Sequence, residues 1–177
     1  MDTFIRRFMG ALALDASAFE DIEADRSAAL QSLTVVTMAA AAGGVAAIGL
    51  GLVGLTGFMV GAVMVFGAWL VWIATIAVIG TVALPEPQTR SSMPELIRTL
   101  GFATAPGVLI AFAAMPSAAP IVIALVSAWV IADAVVAMRQ ALDYHSTGRA
   151  IAVCVIAWVV SGGVFLAIAA ILTRSVS

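Results

Sequence analysis

Residues 57–84 read GFMVGAVMVFGAWLVWIATIAVIGTVAL, without one charged side chain. As a helix rising ~1.5 Å per residue, such a stretch extends about 40 Å, more than the ~30 Å hydrocarbon core of a bilayer. It should therefore cross a membrane, either tilted or projecting beyond it. Apolar and polar residues do not alternate along it, which excludes the segments of a closed β-barrel. Because lipid offers the backbone no hydrogen-bond partners, the remaining way to span is a helix. Its Ala, Leu, Met and Val content agrees, and glycine is tolerated in membrane helices.

Four further apolar stretches flank this one, at about 33–55, 100–115, 118–138 and 151–173. The predicted fold is all-α: a polytopic bundle of five transmembrane helices over residues 33–177, preceded by an amphipathic cytoplasmic segment over residues 1–32. Composition agrees, since 63% of residues are hydrophobic and 10% charged, against roughly 45–50% and 25% in soluble domains. All eight basic residues are arginine and the net charge is -2, so no nucleic-acid surface is expected. The third stretch is the shortest. Ser92 and Glu95 stand at capping-box spacing around Pro94, so its helix is expected to begin in the interface and enter the bilayer at Leu100.

Arginine placement orients the bundle. Arg6, Arg7 and Arg26 precede the first span, Arg90 and Arg98 lie between the second and third, and Arg139 and Arg149 bracket the connection from fourth to fifth. Only Arg174 falls on the other side. Five spans with both the N-terminus and the arginine-rich connections inside satisfy the positive-inside rule; a re-entrant third stretch would weaken that bias. The first residues lack the layout of a cleavable signal, so Met1 is expected to stay in the cytoplasm and the C-terminus to lie outside.

Within residues 1–32, Phe4, Ile5, Phe8, Met9 and Leu12 recur at helical spacing while Arg6 and Arg7 point elsewhere, as in a helix lying in the membrane interface. After Asp15, an expected N-cap, Phe19 and Ile22 occupy one side of a second helix. Glu20, Asp21, Glu23 and Asp25 occupy the other, where a solvated face is expected. Arg26 stands where a calcium loop needs glycine, and no glutamate closes such a loop.

The candidate sites are few. Pro106 removes a backbone donor, frees the carbonyl of Phe102 and should kink the third span. Such kinks usually serve shape, and in transporters broken helices form ligand sites. Asp133 is the one acidic residue well inside a span, a functional hypothesis by default. A structural ion pair with Arg98 or Arg139 is expected, with a proton or ion pathway as the alternative. Arg139 and Asp143, spaced i,i+4, can meet on one face as the fourth helix emerges, making either a partner-binding surface or a solvated helix end. Gly57 and Gly61 form a GxxxG, facing a small-residue ladder of Gly43, Ala47 and Gly51. Close packing of the first two helices follows.

No catalytic constellation, cofactor site or metal site is expected. His145 is the sole histidine, and Ser161 in Ser-Gly-Gly has no histidine at membrane depth to serve as its base. Cys154, the lone cysteine, sits in an apolar run and reads as packing.

Three strings together resemble the bacterial branch of the Yip family of Ypt-interacting, five-span membrane proteins. They are Phe19-Glu20-Asp21-Ile22-Glu23-Ala24-Asp25, Arg98-Thr99-Leu100-Gly101-Phe102-Ala103-Thr104-Ala105-Pro106 and Val136-Ala137-Met138-Arg139-Gln140-Ala141-Leu142-Asp143-Tyr144. The middle string matches the family's Gly-aromatic-x-x-x-Pro element, with Phe102 in place of its usual tyrosine. The resemblance implies a five-span bundle with a cytoplasmic N-terminal segment in a bacterial inner membrane, and no enzyme activity. Its eukaryotic members are associated with Rab-type GTPases, a role not carried over here. The expected function is non-enzymatic contact with a protein or lipid in the membrane, whether as a homo-oligomer or beside another membrane protein. An accessory subunit of a larger complex is the alternative. A channel or transporter component using Pro106 and Asp133 is the second.

Overall fold

A computed structural model describes residues 3–89 and 91–176, with side chains to Val164 in the last helix. Arg90 and the side chain of Arg174 therefore lie outside the described residues. The helices are α1 (Thr3–Leu12), α2 (Ala16–Ala24), α3 (Ala28–Gly49), α4 (Gly54–Val78, continued by a π turn Ile79–Ala83), α5 (Met93–Phe102), a 3₁₀ segment (Ala105–Ala114), α6 (Ala119–Ala141) and α7 (Thr147–Val176). No strand occurs among the described residues. Four helices are long and apolar enough to cross a membrane, and α5 with the 3₁₀ segment forms a pair bent by 47° that would make a fifth. This is an integral membrane architecture.

The first span is displaced from its expected limits of 33–55. Its helix begins earlier because Gln31 faces inward to accept from Arg7 Nη1 at 3.0 Å, and the Ser32 hydroxyl bonds the Ala29 carbonyl at 2.9 Å. Polarity there does not mean solvent. It ends earlier because Gly51 takes φ +107, a left-handed turn that hydropathy cannot register among Leu50, Leu52 and Val53.

α3 and α4 then pack antiparallel with backbones close together. A Cβ on Gly61 would stand 2.5 Å from Ala47 Cβ and 2.8 Å from the Gly43 carbonyl, so the GxxxG and the ladder opposite it occupy each other. Gly57 is buried at the turn against Leu52, and Gly51 forms the turn instead of extending the ladder.

Pro106 acts as its missing N–H predicts. α5 is capped by Ser92, whose N–H donates to the Glu95 carboxylate at 2.7 Å, and ends at Phe102. After the bend the chain continues as a 3₁₀ helix. Gly101 faces Ser32, Gly107 faces Ala39, and Ala114 abuts Gly49. Both sets of numbers rise together, so the third segment runs parallel to α3 along most of its length. From Ala39 to Gly49 an α-helix advances ~15 Å, and from Gly107 to Ala114 at the ~2.0 Å rise of a 3₁₀ helix the advance is ~14 Å. The shorter sequence keeps pace because its helix is drawn out.

One continuous core joins the hairpin to the bundle. Ala11, Phe19 and Ile22 from α1 and α2 share it with Leu96, Leu100, Phe102, Met138 and Leu142, all fully buried. The Phe4 ring lies 6.2 Å from Phe102.

Candidate functional site at the charged end

The hairpin is pinned by a buried cation. Arg7 does not point away from the bundle: it is 2% exposed, donating from Nε to Asp21 at 2.8 Å and from Nη2 to Asp25 at 2.8 Å. Asp21 and Asp25 lie one helical turn apart, so two carboxylates meet the two edges of one guanidinium fork. Arg6 adds a more exposed pair to Asp21 at 3.0 Å. The acidic face is thus not simply solvated; Glu20 alone of the four is fully on the surface. Ser27 and Arg7 hold the Asp25 carboxyl down to about 2, and Arg7 lowers that of Asp21. Asp15 caps α2 by accepting from the Ser17 N–H at 2.9 Å, as expected.

Arg98 fastens the same hairpin from α5, donating from Nη2 to the Glu23 carbonyl at 2.6 Å. It does not pair with Asp133. Nor does Arg139, which is exposed and turns its Nε to the Tyr144 carbonyl at 3.4 Å. Asp133 is fully buried, and neither of its carboxylate oxygens finds a partner among the described residues. α6 continues to Ala141, which puts Asp133 ~12 Å from the helix end. The expected Arg139–Asp143 pair is also absent among the described residues: the helix stops before Asp143, whose φ of +53 carries it off the helical face.

Sequence inspection missed a lock centred on Glu86 and Tyr144. The Glu86 carboxylate accepts from the backbone N–H groups of His145 at 3.0 Å and Ser146 at 3.1 Å, just ahead of α7. A negative charge there complements the helix N-terminus, and those bonds, His145 first, lower the Glu86 carboxyl. Arg149 Nη1 donates to the Pro85 carbonyl at 2.6 Å. The Tyr144 hydroxyl sits 2.6 Å from the Gly80 carbonyl and 2.8 Å from that of Leu84, where the π turn leaves carbonyls without regular helical partners. Burial pushes its phenol up. The only sequence hint was Pro85-Glu86-Pro87, a rigid loop offering a carboxylate.

Beside this lock, Gln88, Arg139, Asp143 and His145 line a polar cleft of about 410 Å³. At the opposite end the turns at residues 50–53 and 115–118 contain no ionisable side chain. Around the bend, Thr99 and Thr104 turn their hydroxyls to the Glu95 carbonyl at 2.9 Å and the Gly101 carbonyl at 2.7 Å. Comparison with known proteins finds no matching family model, curated protein or solved structure.

Proposed function

We propose that this chain is a non-enzymatic, five-span membrane protein of Yip-like organisation, seated in a bacterial inner membrane, that uses its cytoplasmic end to hold a partner protein. The observation behind it is the separation of charge. Among the described residues, six arginines and eight acidic residues belong to the end bearing the hairpin and Asp133 to the helix leading to it, while the two opposite turns have none. Positive-inside placement makes the charged end cytoplasmic. The parallel run beside α3 favours a third segment that crosses over one that turns back, since a bend of 47° leaves its direction broadly unchanged.

With eight acids against six arginines among its described residues, the cytoplasmic end would not attract the anionic headgroups of the inner leaflet. A protein with a basic contact patch suits the cleft at Arg139, Asp143 and His145 better. The GxxxG faces are occupied within the chain, which argues against a homodimer through Gly57 and Gly61. Transport gains little support, because the hydroxyls beside Pro106 are already bonded to backbone.

Purification from native membranes in mild detergent should recover one partner in fixed ratio. Asp143→Arg should release it and Ser117→Arg, at the far end, should not. Release by both variants, or by neither, would count against the cytoplasmic cleft.

A further inference from the structure

A second cavity, of about 350 Å³, lies at mid-depth among α3, α4, the 3₁₀ segment, α6 and α7, far from the polar cleft. Its volume falls within the ~300–1,000 Å³ of ligand pockets, and no charged side chain lines it. Three hydroxyl residues stand on its wall, Thr104, Ser127 and Ser161. Two of them are already engaged, Thr104 donating to the Gly101 carbonyl at 2.7 Å and Ser161 to the Ala157 carbonyl at 2.8 Å. Trp69 and Trp72 bring ring surface only, since their indole nitrogens have essentially no accessible surface. That leaves Ser127, and one hydroxyl does not hold water, which needs two to four polar partners. A dry hollow left empty deprives its lining of dispersion contacts on one side, so hydrocarbon is the filling it favours. It opens toward lipid on its α7 wall: Trp158 and Gly162 are exposed, and a Cβ built on Gly162 meets nothing within 4 Å.

We infer that this hollow is a binding site for one phospholipid acyl chain, which enters past Gly162 and lies against the rings of Trp69 and Trp72. Acyl chains reach this depth from the leaflets and are the most concentrated hydrocarbon at the opening, so mass action favours them over any dilute lipophile. The site is independent of the partner at the polar cleft. Full-length protein carrying Trp129→Phe and Trp158→Phe, in which only Trp69 and Trp72 emit, would be placed in nanodiscs of phosphatidylcholine with and without bromines at mid-chain. Bromine quenches an indole on contact. Trp69 and Trp72 are each 5% exposed, so lipid outside the bundle scarcely reaches them, and a chain in the hollow should remove most of their emission. Gly162→Phe puts a ring in the opening and should restore emission to its level in unbrominated lipid. Gly163→Phe, one residue along, also meets open space and lies off the cavity wall. It should leave quenching intact, which guards against a disturbed α7. No quenching at all, quenching unchanged by Gly162→Phe, or quenching lost in both variants would each overturn the inference.

Discussion

At the scale of single residues, Arg7 sets the position of the whole N-terminal hairpin. With its guanidinium buried against two half-exposed carboxylates, Arg7→Ala should cost about 2–4 kcal/mol, the loss of charge-assisted bonds and of a filled site. Amide exchange over residues 3–24 should accelerate while that of α4 does not. Acid should act in the same direction. Asp21 and Asp25 have folded values below the ~3.9 of an unfolded aspartate, so their contribution is complete above about pH 4 and drains away as pH falls toward 2. Exchange across the hairpin measured between pH 5 and 2 should show this loosening, and Arg7→Ala should reduce it by the share of Asp21 while the share that Ser27 holds at Asp25 remains. Asp133 has the opposite character. A buried carboxyl without a partner is a net cost, so Asp133→Leu should raise thermal stability by ~1–3 kcal/mol. A stabilised variant that no longer retains its partner would show that the residue is kept for function at the expense of stability; unchanged or lower stability would mean that an unseen partner satisfies the acid.

At the scale of elements, the third segment depends on the pitch that Pro106 enforces. Pro106→Ala restores the missing donor and lets α-helix continue, which would shorten the ten residues after the bend from ~20 to ~15 Å. Ala114 would then fall short of Gly49, and labelling of a cysteine at Ser117 should slow as that turn is drawn inward. Tyr144→Phe removes the hydroxyl bonded to the Gly80 and Leu84 carbonyls and should cost about 1–2 kcal/mol, read as a lower unfolding temperature. These elements also show what the sequence revealed and what it hid. Hydropathy found the helices and Pro106 announced the bend, because both are local properties. The inward turn of Gln31 and the partners of Arg7 and Arg98 were hidden, since each depends on residues a dozen or more positions away. The 3₁₀ pitch was likewise invisible, as it follows from matching α3.

At the scale of the whole molecule, cysteines introduced at Ser91, Ser117 and Thr147 in a Cys154→Ser background test the topology. Position 117 should label from outside, and 91 and 147 only from inside; labelling of 91 and 117 from one side would remove the third crossing. Deleting residues 3–24 should lower stability while sparing insertion, since Phe19 and Ile22 leave a shared core and the spanning segments remain. The bare turns at 50–53 and 115–118 also bear on how such a chain is made. Moving a charge across an energised membrane involves ~2.3 kcal/mol per 100 mV, yet α3 with α4, and the bent segment with α6, carry no ionisable group through to the far side. Each pair can be laterally released into lipid as a unit during synthesis, whatever the membrane voltage. On the proposed orientation, collapsing that voltage should leave both pairs inserted and burden only the last helix, near whose end the sequence has Arg174.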